Sequence, residues 1–255
     1  MLEHSLICKG CWQQMHMPIP LRGLLSLPFR MFGIKPSRMN PNTCTVCELM
    51  FTKVMRSRKI TIDATVLFAD LRGCTALSQL HSAEAISALL DAFYDSAADA
   101  IWEQDGLLNK TIGDAVMAVF NFPIRQGDHA GAAMRAARAI QERWAVRSRV
   151  LADELGLDDL KDGTGIGAGI GIGIHCGEVS FGEFGRAHKD LTAIGNVVNS
   201  AARAQGAARP GEILVTQAMV DRLAPPPGTF RAETYQLKGF AEPTTLYAPL
   251  DMTLH

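Results

Sequence analysis

The sequence predicts an α+β fold, an α/β sandwich in which a mixed sheet carries helices packed against it. Three observations predict it. Strand-like and helix-like patterns interleave along most of the chain. A hairpin signal sits within that alternation, where two apolar runs are split by Gly113 and Asp114, so the sheet is not all parallel. The 255 residues are 47% hydrophobic and 20% charged, which is enough to bury a sizeable core and excludes a disordered chain.

The elements follow in order. Thr65 to Ala69 is a short apolar strand that ends at Asp70. A helix starting near Thr75, which can cap it, places Ile86, Leu89, Leu90, Phe93, Ala97 and Ile101 at helical spacing as far as Gly106. Leu107 to Ile112 and Ala115 to Phe120 form the hairpin. A second long helix puts Ala130, Met134, Ala137, Ile140, Trp144 and Leu151 on one stripe. Gly165 to His175 alternates Gly with Ile, so the Ile side chains line one face of a buried strand. The glycines fall on every second residue, which excludes a dinucleotide fingerprint. Asn196 to Gln205 predicts a short helix, and Glu212 to Val215 and the pieces after Phe230 predict closing strands.

Charge divides the chain. Residues 1–59 hold nine Lys or Arg against two acids, Glu3 and Glu48, a formal charge of +7 that leaves −8 for the rest. The boundary is placed at Arg58, giving a basic, Cys-rich segment over 1–58 and a second domain over 59–255. Pro18, Pro20, Pro28, Pro36 and Pro41 forbid a long helix in the front segment. From Cys44 to Lys59 the pattern turns helical, with Val46, Met50, Val54 and Met55 on one face. No run of 18 apolar residues occurs, and Met1 to Gly10 lacks the pattern of a secretory signal, so a cytoplasmic location is expected.

Two carboxylates form the chemical centre. Asp70 ends a strand and Asp114 sits in the hairpin turn, so both project from one sheet end if those strands are neighbours. Hard cations such as Mg²⁺ take one or two carboxylates plus substrate phosphates. Leu71, Arg72, Gly73, Cys74 and Thr75 then lead into a helix start, where free N–H groups and a glycine suit a phosphate.

FADLRGCT at residues 68–75 resembles the F-x-D-[IL]-R-G-[FC]-T segment of class III nucleotidyl cyclases. KTIGDAVMAVF at 110–120 is similar to their second metal segment, GIHCGEV at 173–179 to their G-I-H-x-G-x-V strand, and IGNVVNSAAR at 194–203 to their closing helix motif. The four motifs stand in the family's order across about three quarters of the chain. The resemblance implies a ferredoxin-like catalytic domain that turns ATP into 3′,5′-cyclic AMP and pyrophosphate in signal transduction. It implies two Mg²⁺ or Mn²⁺ ions on Asp70 and Asp114, with the backbone of Leu71. It also implies phosphate contacts from Leu71, Gly73, Cys74, Thr75 and Lys238, a ribose-orienting Asn199, a transition-state Arg203, and sites shared between the two chains of a homodimer.

The resemblance further places base selection on Lys110 and Thr192. An ammonium group donates to the acceptor N1 of adenine, whereas guanine carries N1–H there. The hydroxyl of Thr192 can accept from the 6-amino group. The Lys/Thr pair is similar to a bacterial branch that includes bicarbonate-responsive enzymes. A guanylate cyclase is disfavoured by Lys110. A catalytically silent nucleotide sensor is disfavoured by the presence of both Asp, the Asn and the Arg. A zinc-ribbon nucleic-acid binder is disfavoured by the acidic body, so no nucleic-acid partner is expected.

The front segment carries Cys8-x-x-Cys11 and Cys44-x-x-Cys47, which is metal-ligand spacing. Zn²⁺, an iron–sulfur cluster and a dithiol switch all remain open there. Cys74 and Cys176 are expected to be packing residues. Leu24, Leu25, Leu27, Phe29 and Phe32 among basic residues could touch an anionic membrane surface at the inner face, or a sensor protein. Covering the acidic body of the same chain is the preferred expectation.

Overall fold

The structure is a computed structural model that describes residues 4–156, 169–184, 190–237 and 242–250. The front segment holds α1 (Lys9–Met15), a single-turn helix at Leu24–Ser26, α2 (Leu27–Met31) and α3 (Thr45–Ser57). Then follow β1 (Ile60–Leu71), α4 (Cys74–Leu80), α5 (Ala83–Glu103), β2 (Leu107–Ile112), β3 (Ala115–Phe120) and α6 (His129–Leu155). The chain closes with β4 (Ile170–Phe184), β5 (Asp190–Ile194), α7 (Asn196–Ala207), β6 (Ile213–Thr216), α8 (Gln217–Leu223), β7 (Phe230–Tyr235) and β8 (Thr244–Pro249).

The described strands form one mixed sheet in the order β2-β3-β1-β4-β6-β8-β7, with β5 paired to the outer end of β4. β4 and β6 are parallel and the other pairings are antiparallel. β1 is central and buried on both faces, which is why Ala64 to Ala69 is apolar except for Thr65, whose hydroxyl meets His129 Nδ1 at 2.7 Å. Leu67, Ala69 and Leu71 enter the core beneath α5 and α6, where Phe93 meets Trp144 edge-on. Ala64, Val66 and Phe68 enter the opposite core with Val197 and Ala201 of α7 and Met55 of α3.

The Gly/Ile alternation of β4 serves both faces. Ile170, Ile172 and Ile174 fill the first core. On the other face a Cβ at Gly173 would come within 2.0 Å of the Gln205 backbone nitrogen, so the glycine lets α7 lie directly on the strand. The beginning of that predicted strand, residues 165–168, lies outside the described residues.

Several expectations are corrected. The helix predicted from Thr75 to Gly106 is two helices, because Ser82 turns extended and its hydroxyl caps α5 by accepting from Ala85 N at 3.3 Å. Thr75 is not the cap of α4. That position belongs to Gly73, whose φ of +78° a side chain would strain. On α3 the buried residues are Cys47 and Met55, with Val54 half-buried, while Val46 and Met50 face outward. The apolar front residues do not cover the acidic body: Leu24, Leu25, Leu27 and Phe32 are exposed and Phe29 is half-buried. Contact with the body is made instead by α1, residues 39–42 and the inner face of α3.

Candidate active site

Antiparallel pairing of β1 with β3 sets Asp70 opposite Ala115. Asp114 precedes Ala115 in the two-residue hairpin loop, and Leu71 N donates to Asp114 O at 3.0 Å. Both carboxylates therefore stand at one end of the sheet. One oxygen of Asp70 accepts from Gln205 Nε2 at 3.0 Å and from Arg72 Nη1 at 3.1 Å. Arg72 also donates to the Gln205 backbone oxygen. Burial, and then the carboxylate of Asp114, push Asp70 up to about 6, with Arg72 and Gln205 acting the other way. Two half-buried carboxylates at one sheet end, the first of them raised by burial and by the charge of the second, fit a hard dication, which would favour the ionised form of Asp70.

The loop after Asp70 turns at Gly73 and starts α4 at Cys74. The carbonyl of Gly73 accepts from Ala76 N and Leu77 N at 3.0 Å each. Thr75 is exposed, and Cys74 is buried against the core. Cys176 is likewise buried, with Sγ 3.2 Å from Ala218 O.

The strand that carries Lys110 is tied to the strand that carries Thr192. Lys110 is half-buried on β2, and Thr192 is buried on β5. They are joined through Asn109, the bulged residue of β2. Asn109 Nδ2 donates to Leu191 O at 3.1 Å, and its Oδ1 accepts from Thr192 Oγ1 at 2.9 Å. Sequence reasoning missed Asn109 and also Gln205.

Asn199 and Arg203 are exposed on α7, and neither side chain has a hydrogen-bond partner among the described residues. Gln205 lies two residues beyond Arg203, which on a helix is more than half a turn away. The face of α7 that touches Asp70 is therefore not the face that carries Asn199 and Arg203. Lys238 lies outside the described residues.

The four front cysteines also converge. The sulfurs of Cys8, Cys11, Cys44 and Cys47 lie within 4.8 Å of one another, all buried, and could hold a metal.

The family described as adenylate and guanylate cyclase catalytic domain matches residues 57–248. Adenylate cyclase 1 of Rhizobium meliloti is 31% identical over 146 residues, which is 56% of this chain and 20% of that protein. The crystal structure of the adenylyl cyclase CyaB from P. aeruginosa superposes with a TM-score of 0.63 at 28% identity, covering 76% of this chain and 96% of that one. The guanylyl cyclase Cya2 shares the fold, with a TM-score of 0.65 at 24% identity over 74% of this chain and 92% of its own. The chain spans about a third or less of the length of the curated relatives it matches. On the matched domain, its mixed sheet and the paired carboxylates at the sheet end, the chain belongs to the adenylate and guanylate cyclase catalytic domain family.

Proposed function

We propose that the chain is an adenylate cyclase, a phosphorus–oxygen lyase that converts ATP to 3′,5′-cyclic AMP and pyrophosphate as a homodimer in signal transduction. The catalytic domain spans 59–255, and residues 1–58 form an accessory segment. The observation that carries the choice of ATP is the Thr192–Asn109 hydrogen bond. Thr192 has one hydroxyl proton, and both acceptors it meets lie within the protein, Asn109 Oδ1 at 2.9 Å and Ala193 O at 3.3 Å, so its oxygen meets the base as an acceptor. An acceptor there suits the 6-amino group of adenine and opposes the O6 of guanine. Lys110, on the adjoining strand residue, donates to adenine N1.

Asp70 and Asp114, with the backbone of Leu71, would hold two Mg²⁺ or Mn²⁺ ions, which acidify a bound hydroxyl and neutralise phosphate charge. Gly73, Cys74 and Thr75 offer backbone N–H groups to phosphate oxygens, and Lys238 adds an ammonium group. Asn199 holds the ribose so that its 3′-oxygen bonds to the α-phosphorus as the bond to pyrophosphate breaks. Arg203 spreads its fork over the oxygens that gain charge in that step.

The homodimer follows from the separation of these groups. Within one chain Asn199 and Arg203 face away from Asp70, so a complete site draws its two halves from two copies. The outward Val46 and Met50 on α3, just ahead of β1, leave an apolar stripe for the twin helix. Purified protein given ATP or GTP with Mg²⁺ or Mn²⁺ is expected to yield cyclic AMP and pyrophosphate in equal amounts, with ATP preferred. Cyclic GMP as the main product would refute the base assignment.

Among the described residues no helix is long and apolar enough to cross a membrane. Peripheral contact with an anionic lipid surface is supported by the front segment. Leu24, Leu25, Met31 and Phe32 are 84%, 79%, 88% and 86% exposed around Arg30. No acidic residue occurs between residues 4 and 47.

A further inference from the structure

We propose that Cys8, Cys11, Cys44 and Cys47 hold one tetrahedral Zn²⁺ ion, and that this ion fastens the front segment to the corner from which β2 springs. Three of the sulfur pairs are 3.4 to 3.6 Å apart. Four thiolates about 2.3 Å from a single zinc stand about 3.8 Å from one another. A cluster of several irons distributes its thiolates over separate metal atoms and holds them wider apart than this. None of the four cysteines is in a disulfide. The long interval between the two pairs is closed by bridges of Ile7 with Pro20 and of Pro36 with Cys44.

The surrounding backbone is shaped for an ion. Cys8 Sγ accepts from the backbone N–H groups of Cys11 and Cys44 at 3.3 and 3.2 Å, and Cys44 Sγ accepts from Cys47 N at 3.4 Å. Such donors fix the direction in which the Cys8 and Cys44 sulfurs point. At residue 10 a Cβ would come within 2.9 Å of Cys47 Sγ, so only glycine lets the second pair approach the first helix.

The same two stretches grip the end of α5. Asn40 Nδ2 donates to Gly106 O at 2.8 Å. Asn42 Nδ2 donates to Asp105 Oδ1 at 2.8 Å and to Trp102 O at 3.0 Å. Lys9 Nζ reaches Asp105 Oδ2 at 2.5 Å, and Trp102 Nε1 donates to Met39 O at 2.9 Å. Lys9 N donates to Asn42 O at 2.9 Å, which ties the two Cys-bearing stretches together. Asn40 and Asn42 are buried, so their bonds to Trp102 on α5 and to Asp105 and Gly106 just after it are sheltered from water. Asp105 is held in the left-handed backbone region at φ +54°, directly ahead of Gly106 and β2. The ion thus sits one rigid bracket away from the strand that, on the cyclase assignment, presents Lys110 to the base.

The test uses the full chain purified without chelator. Elemental analysis should give one zinc per chain and no visible absorbance, and an organomercurial should release the zinc as it titrates four thiols. Hydrogen exchange of peptides spanning 101–112 should then quicken by about tenfold and recover when ZnCl₂ is returned after the reagent is removed, while β8 stays unchanged. The substitution Asn42→Leu, which keeps all four thiols, should retain the zinc and still quicken exchange over 101–112. Iron with visible absorbance, or a metal-free chain as purified, would overturn the site. Unchanged exchange over 101–112, or an equal rise in β8, would overturn the coupling. Both readouts are independent of turnover, so failure of the cyclase assignment leaves them intact.

Discussion

Thr192 Oγ1 donates to Asn109 Oδ1 at 2.9 Å, and Asn109 is the bulged residue immediately before Lys110. One side-chain amide therefore sets the hydrogen-bonding sense of Thr192 and the strand position of Lys110, the two groups proposed to meet the base. Replacing Asn109 with Leu removes the nearer acceptor of the Thr192 proton and leaves only the longer contact with Ala193 O at 3.3 Å. The preference for ATP over GTP, taken from the ratio of kcat/KM values, should fall by about tenfold, the effect of about 1.4 kcal/mol from one hydrogen bond. The pair Lys110→Glu with Thr192→Cys should lower cyclic AMP production further. If the double variant keeps the original ratio, the base pocket lies elsewhere.

Gln205 makes the second long-range contact of consequence, its amide holding Asp70 at 3.0 Å while Arg72 holds the same oxygen at 3.1 Å. Gln205→Met keeps the shape and removes the donor. It should raise the Mg²⁺ concentration for half-maximal rate several-fold, by about 1 kcal/mol, with the melting temperature little changed. Asp70→Ala and Asp114→Ala, by contrast, should abolish turnover in a folded protein. An unaltered Mg²⁺ curve in Gln205→Met would show that Arg72 alone positions Asp70.

A buried histidine gives the fold an acid limit. His129 is 3% exposed, its Nδ1 2.7 Å from Thr65 Oγ1, and burial holds its pKa below the ordinary value against the pull of Asp63. A histidine whose folded pKa is depressed supports the fold above the unfolded value near 6.5, and that support is lost as the pH falls below it. His175, depressed by burial, acts in the same sense. His129→Asn, whose amide can still meet Thr65, should flatten the decline in melting temperature between about pH 7 and 5. A slope equal to that of the parent protein would count against the assignment.

The exposed front residues predict a lipid effect. Vesicles of phosphatidylcholine with about a third phosphatidylglycerol should sediment the protein, and pure phosphatidylcholine vesicles should not. Leu24→Glu with Phe32→Glu should weaken that binding by at least about tenfold, since two exposed apolar contacts are lost and two like charges face the anionic surface. Equal sedimentation of the double variant would remove the lipid assignment.

Much of the fold was legible because it is written locally. The Gly/Ile alternation of β4, the apolar run of β1 and the Gly113–Asp114 turn each carry their meaning within a few residues. Asp70, Asp114, Lys110, Asn199 and Arg203 stood out for the same reason, as members of short motifs. Gln205 and Asn109 did not, because each acts on a partner 135 or 83 residues away and looks ordinary among its neighbours. Asn40 and Asn42 were hidden likewise. The break between α4 and α5 was readable in principle from Ser82 ahead of Glu84, but the apolar spacing ran on through it. The exposed stripe on α3 inverted the expectation for a different reason. Periodicity marks an apolar face without saying whether the chain itself or a second copy covers it.

The division of α7 gives the most direct test of assembly. Gln205 on one face bonds to Asp70, while the side chains of Asn199 and Arg203 on the other are exposed and make no hydrogen bond or ion pair among the described residues. In a twofold dimer each chain would then lend its carboxylates to one site and its Asn and Arg to the other. Asp70→Ala and Arg203→Ala should each be inactive alone. When the two variants are mixed in equal amounts under conditions of free exchange, about half the dimers contain one chain of each kind. Every mixed dimer has one site with both lesions and one site with neither, so activity should return to about a quarter of the wild-type rate per site. Isotope-coded chains in native mass spectrometry establish the exchange independently. If mixed dimers form and no activity returns, the carboxylates and Arg203 do not meet across two chains.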